Sequence, residues 1–287
     1  MFGTGVWVLS HECGHQAFSS SRLVNNVVGT IFHSLLLVPY HPWRISHGLH
    51  HSNTGSMEHD EVFVPTIRSD LMSEALSDAP IVHCFHGFLT LFFGWPAYLL
   101  FNMAGPKKYK NKPNSHFNPN SVLFKPSQRS LVVQSDLALL VVCGLLTTCG
   151  MKFGWGNLLF FYFIPYILVN FWLVLITYLQ HTDVYMPHLR EGEWTWLRGA
   201  CLTVDREYGW GLDTFLHHIT DTHVAHHLFS TMPFYHAQEA TKIIKEKLGR
   251  WYMKDDTPVP VALYRALRNC QFVEDEGGVV FYKSALK

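Results

Sequence analysis

The chain has 287 residues, of which 48% are hydrophobic and only 15% charged, against roughly a quarter charged in an ordinary soluble domain. Lys+Arg and Asp+Glu both total 22, so the formal net charge is zero, which excludes a basic nucleic-acid binder and an acidic disordered tail. The 19 histidines nearly equal all lysines and arginines together, and imidazole is the commonest metal ligand, so the composition reads as a membrane-embedded metalloprotein.

Met1 to Ser10 (MFGTGVWVLS) is apolar but lacks the basic start and the cleavage site of a signal peptide. It reads as the last turns of a membrane helix. Val27 to Tyr40 is apolar yet too short to span comfortably. Ile81 to Ala104 is long enough but holds His83, His86, Gly94 and Pro96. The polar Gly105 to Arg129 carries Lys107, Lys108, Lys110 and Lys112, which predict a cytosolic position. Leu131 to Gly150 has the length of a span, with Asp136 required to face protein or the interface. Phe153 to Gln180 is a second span, with Pro165 as a kink and Trp155, Tyr162, Trp172 and Tyr178 as candidate interfacial anchors, although Trp172 is deep. Met151–Lys152 would link the two as a hairpin. From His181 onward the chain is more polar and is expected outside the membrane. Cys13, Cys84, Cys143, Cys149, Cys201 and Cys270 form no CxxC pair and read as reduced thiols.

Three histidine boxes carry the chemistry. HECGH supplies His11 and His15. HGLHH supplies His47, His50 and His51. HVAHH supplies His223, His226 and His227. Residues three and four apart share a helix face, so each box aims its imidazoles at one point. Eight imidazoles are too many for one ion and suit two, although ligand type alone does not choose among Zn, Cu, Fe and Ni. HECGH also matches the zinc-protease pattern, with Glu12 as base, but that reading leaves both HxxHH boxes unexplained. A shared site needs all boxes on one side of the bilayer. Val27–Tyr40 is therefore expected to re-enter or lie in the interface. Ile81–Ala104 is expected to be peripheral or re-entrant as well, because a third crossing would break the parity of the hairpin.

The segments HECGHQAFS, WRISHGLHHSNTGSMEHDEVFVP, TVDREYG and DTHVAHHLFSTMPFYHA resemble the membrane fatty-acyl desaturases, in particular the oleate Δ12-desaturase group of the endoplasmic reticulum. The similarity runs essentially end to end. Glu12, Ala17, Ala225 and Ser230 match that group rather than the omega-3 desaturases. The resemblance implies an all-α integral membrane protein, one desaturase domain over residues 1–287. Residues 1–60 would hold the first two boxes, 131–180 the transmembrane hairpin and 181–287 a cytosolic cap with the third box. It also implies that a membrane hairpin preceding the first box in the family is missing here.

The same resemblance implies two irons held by His11, His15, His47, His50, His51, His223, His226 and His227. His181, at the cytosolic end of the last membrane helix, is the implied ninth ligand. It further implies O2 as co-substrate, a membrane phospholipid acyl chain as substrate, and electrons from cytochrome b5 and its NADH-dependent reductase. The implied setting is the endoplasmic reticulum membrane with the site facing the cytosol, a plastid membrane being left open. A homo- or heterodimer with other desaturases is a further expectation. Metal-bound imidazoles need partners on their other ring nitrogen, and Asp60, Glu58, Asp221 and His217 are the candidates. An omega-3 or bifunctional desaturase, a hydroxylase or acetylenase on the same scaffold, and a non-catalytic partner subunit are the alternatives.

Overall fold

The computed structural model describes residues 1–71 and 80–284, and helices carry nearly all their regular structure. The first helix, α1 (Phe2–His15), stops at Gln16, whose left-handed φ of 62° turns its N–H back onto Cys13 O and Glu12 O. Asn25 then staples the turn by donating to Ser19 O (2.6 Å) and Ser21 O (3.1 Å). Ser21 caps α2 (Arg22–Leu35) by accepting from Val24 N. A bend of 106° separates α2 from α3 (Tyr40–Asn53). Glycine is required at position 29, because a Cβ there would stand 2.3 Å from the Tyr40 ring. The same tyrosine donates to Cys13 O at 2.9 Å, so α1, α2 and α3 are fastened together. The apolar Val27–Tyr40 stretch is thus a sharply broken element and not a straight span.

Among the described residues, three segments are long and apolar enough to cross a membrane: α4 (Pro80–Phe101), Pro126–Phe153, which contains α5 (Arg129–Phe153), and Trp155–His181. The last comprises α6 (Trp155–Leu158), a π turn at Leu159–Phe163 and α7 (Ile164–His181). The kink expected at Pro165 takes the form of that π turn, just upstream of the residue that lacks an N–H. The hairpin link is Gly154 (φ 92°) and not Met151–Lys152, because α5 runs on to Phe153. Leu137, Leu140, Val141, Phe160 and Phe161 are exposed on these helices, the faces a bilayer would cover. Trp172 and Tyr178 are partly buried and pack against the core.

α4 is a candidate span by length and composition, and contacts tie it to neighbouring elements at two levels. Near its start, a Cβ on Gly87 would meet Leu267 of α12 (Val259–Asn269), a helix of the polar C-terminal region. At its end, Tyr98 Oη donates to Ser46 Oγ on α3 (3.2 Å), and His116 N donates to Leu99 O (2.9 Å). Tyr98 thereby lies beside α3, the helix of the second box. Trp7, Trp43, Trp95, Leu173, Ile176 and Leu179 form the core directly beneath the boxes. Each buried leucine there contributes roughly 1.5–3 kcal/mol.

Beyond α7 the chain folds as a cap with α8 (Trp196–Ala200), α9 (Leu212–Phe215), α10 (His223–Leu228), α11 (Phe234–Leu248) and α12. Strand β1 (Pro187–Leu189) pairs antiparallel with β2 (Val279–Phe281), with His188 opposite Val280. The cap is locked to the end of α7 by a buried ion network. Arg206, fully buried, faces Asp255 at 2.9 Å and Asp183 at 3.7 Å, and Arg265 bonds both carboxylates. Asp183 lies two residues past His181, so this lock fixes where α7 ends. All six cysteines are free.

Candidate metal centre

Helical spacing places the boxes as the sequence predicts. His11 and His15 share one face of α1, His47, His50 and His51 one face of α3, and His223, His226 and His227 occupy the short α10. His181 closes α7. α10 is too short to be stable alone, and Asp205 secures it by accepting from Val224 N at 2.8 Å in its first turn. Tyr252 Oη bonds the other oxygen of Asp205.

The nine imidazoles fall into two adjoining groups. His11, His15, His47, His51 and His226 present ligand atoms all within 4.8 Å of one another. His50, His181 and His227 do the same, and His223 Nε2 lies 3.2 Å from Nε2 of both His181 and His227. One α3 helix serves both groups, and so does α10.

The orientation of these rings can be derived. Thr54 spends its only hydroxyl proton on His50 O (2.8 Å), so at 3.1 Å it accepts from His227 Nδ1. His227 Nε2 is then a bare lone pair aimed at His223. Likewise Asp60 Oδ1 accepts from His50 Nδ1 at 2.7 Å, which leaves His50 Nε2 as a lone pair. Asp60 is itself held by Gly55 N (2.9 Å) and Glu61 N (2.7 Å). A single proton on His223 Nε2 cannot serve both neighbours 3.2 Å away, and Nε2 of His226 is buried with no hydrogen-bond partner. Converging lone pairs with too few protons are repulsive unless cations lie between them. The donor set fits two transition-metal ions, one for five imidazoles and one for four.

Burial keeps the α10 histidines neutral. His223, His226 and His227 are pushed well below the ordinary imidazole range, first by desolvation and then by neighbouring imidazoles. Neutral imidazole is the form that binds metal. Aromatic rings wall the site: Trp43 stacks on His47 (4.6 Å), Trp7 on His11 (5.6 Å) and Phe63 on His181 (5.5 Å).

The other candidates fall elsewhere. Asp221 pairs with His218 Nδ1 at 3.1 Å. His217 packs on Phe234, and Glu58 accepts from Glu191 N. Thr54 was not foreseen, although it stands four residues past His50, where helical spacing returns to the same face. Glu12 also has an unforeseen role: its Oε2 accepts from Phe234 N (3.1 Å), joining the first box to the start of α11.

A helical membrane protein that gathers HxxxH and HxxHH boxes around two adjacent metal positions is a histidine-box metalloprotein of the bilayer. The profile of the fatty acid desaturase family matches residues 1–256. A "Delta(12) fatty acid desaturase" of Mortierella isabellina is 50% identical over 98% of this chain and 74% of its own length. The "Omega-6 fatty acid desaturase, endoplasmic reticulum isozyme 1" of Glycine max is 49% identical over 98% of this chain and 73% of its own. A "Delta(12)-fatty-acid desaturase" of Arabidopsis thaliana is 47% identical over 99% and 75%. The chain belongs to the fatty acid desaturase family, membrane oxidoreductases of fatty acyl chains, as the boxes implied.

Proposed function

We propose that the chain is an O2-dependent acyl-lipid desaturase that places a cis double bond at Δ12 of oleoyl groups, giving linoleoyl. The observation that carries this reading is the convergence of nine imidazoles from α1, α3, α7 and α10 into two groups, in a chain matched nearly throughout by Δ12 desaturases. His11, His15, His47, His51 and His226 would hold one iron, and His50, His181, His223 and His227 the other. Two bound irons would supply the O2-dependent redox chemistry that strips hydrogen from two neighbouring methylenes, which no side chain can do unaided. In balance, the lipid loses two hydrogens, O2 becomes two waters, and two electrons and two protons come from outside.

The chain's own residues prepare the site. Asp60 and Thr54 fix the tautomers of His50 and His227. Trp7, Trp43 and Phe63 hold the rings and keep bulk water off them. The Asp183–Arg206–Asp255–Arg265 lock sets the position of His181.

Cytochrome b5 is the proposed electron donor, and the endoplasmic reticulum membrane the setting, with the metals facing the cytosol. The lysine-rich segment supports that orientation, because Lys108 Nζ donates to Glu61 Oε1 (3.0 Å) next to Asp60, on the metal side. Expression in a cell that makes oleate but no linoleate tests the function. A new Δ12 diene is expected, lost on His227→Ala. No diene from iron-loaded protein would overturn the proposal, and a 12-hydroxy or acetylenic product would replace the reaction.

A further inference from the structure

Behind the metal-bearing face of α3 lies a second feature with no part in the site described above. Ile45 and Leu49 sit on the side of the helix turned away from His47, His50 and His51, and Arg44, three residues before His47, stands at the edge of their face. They line a cleft of about 370 Å³ together with Leu123, Lys125 and Gln128, within the size range of small-ligand pockets. Its cations face no counter-charge. No carboxylate lines the cleft, and neither Arg44 nor Lys125 enters an ion pair among the described residues. Arg44 is half-buried, where an uncompensated charge is costly. Gln128 uses its Oε1 to accept from Lys125 N (2.9 Å), so what it offers the cleft is its amide donor.

The cleft is also amphipathic and sits at a definite depth. Its floor of Ile45, Leu49 and Leu123 is apolar, and Leu49 is 39% exposed there. Lys125 and Gln128 come immediately before α5, which starts at Arg129 and is a candidate span. Donors at the end of a membrane helix, above an apolar floor, match a ligand with an anionic head and an acyl root. A free inorganic anion would have no use for the floor.

We propose that this cleft seats the phosphate of a membrane glycerophospholipid, with Arg44 and Lys125 on the phosphate oxygens and the acyl roots over Ile45, Leu49 and Leu123. The occupant lies along the flank of the helix that supplies ligands to both metal positions, so it braces α3 from beside the metal-bearing face. The choice of ligand class rests on the acyl-lipid reading above, but the test needs no turnover. Absence of a diene would leave the cleft untouched, and an empty cleft would leave the desaturase reading untouched.

The experiment counts lipid retained by the full chain in detergent, by native mass spectrometry, during titration with dioleoylphosphatidylcholine. Dioleoylglycerol, with the same chains and no phosphate, and inorganic phosphate are the comparators. Wild-type protein is expected to retain the phospholipid, and Arg44→Gln/Lys125→Gln to bind it about tenfold or more weakly. Arg44→Lys should keep most of the binding, and dioleoylglycerol should not distinguish the variants. Lys125→Gln alone changes an exposed residue, keeps the fold out of question, and should already weaken retention several-fold. Equal retention by wild type and the double variant overturns the proposal. So does displacement of the lipid by equimolar inorganic phosphate, which would make the cleft a free-anion site.

Discussion

Exchanging Asp60 for asparagine perturbs the four-histidine group through a single atom. Asp60 Oδ1 accepts from His50 Nδ1 at 2.7 Å and from Glu61 N at 2.7 Å, and Oδ2 accepts from Gly55 N at 2.9 Å. Asparagine keeps one oxygen for these donors but loses the charge. A hydrogen bond to a charged group contributes about 1.5–3 kcal/mol and a neutral one about 0.5–1.5, so the loss is about 1–2 kcal/mol. If the amide turns its NH2 to His50, Nδ1 becomes the acceptor and the proton moves to Nε2, where it blocks metal binding. Affinity of that group should fall about 10–100-fold, the usual cost of losing a ligand's carboxylate partner. The assay is metal content per chain during chelator titration of purified protein. Wild type should release its two ions at similar chelator concentrations. Asp60→Asn should release one at about tenfold less chelator and keep the other. Two ions held with wild-type affinity would refute the derivation of the His50 tautomer.

Four further outcomes are expected. His181→Gln should lose the same ion and all activity although it lies outside every box; activity retained at wild-type level would remove His181 from the site. Gly29→Ala drives a Cβ into the Tyr40 ring and should cost about 1–3 kcal/mol, read as a lowered melting temperature. Arg206→Met leaves Asp183 and Asp255 short of a buried partner and should cost about 3 kcal/mol in denaturant, with Arg206→Lys only partly restoring it. Metal-free protein should lose stability as pH falls below about 6.5, the ordinary imidazole value. There the unfolded chain takes up protons that buried His223, His226 and His227 refuse, each weakening the fold by about 1.4 kcal/mol per pH unit until its own depressed value is reached. Metal should suppress that loss, and a stability that rises on acidification would contradict it.

Much of the site was legible because its information is local. Ligand residues three and four apart share a helix face whatever the helix later packs against, so the boxes could be read directly. The two spans were legible for a similar reason, since hydrocarbon thickness translates into a count of apolar residues. Residues whose role depends on a distant partner were harder. Asp221 follows the same logic as Asp60 in sequence, yet one carboxylate meets His218 and the other His50. Thr54 carries no metal-ligand signature, and only the approach of α10 gives it a role. The packing of Trp172 and Tyr178 against the core likewise depends on distant partners.

The sequence by itself determined which box histidines share a helix face and that the chain has spans long enough for a bilayer, because helical periodicity and apolar length act over a few residues. Only the tertiary structure decided that His47 and His51 join the first box while His50 joins His181, and that Tyr98 of α4 is bonded to Ser46 of α3. Those choices depend on how α1, α3, α7 and α10 are brought together. That is set by close approaches such as Gly29 to Tyr40 and by the buried lock around Arg206, whose members lie up to 82 residues apart in the chain.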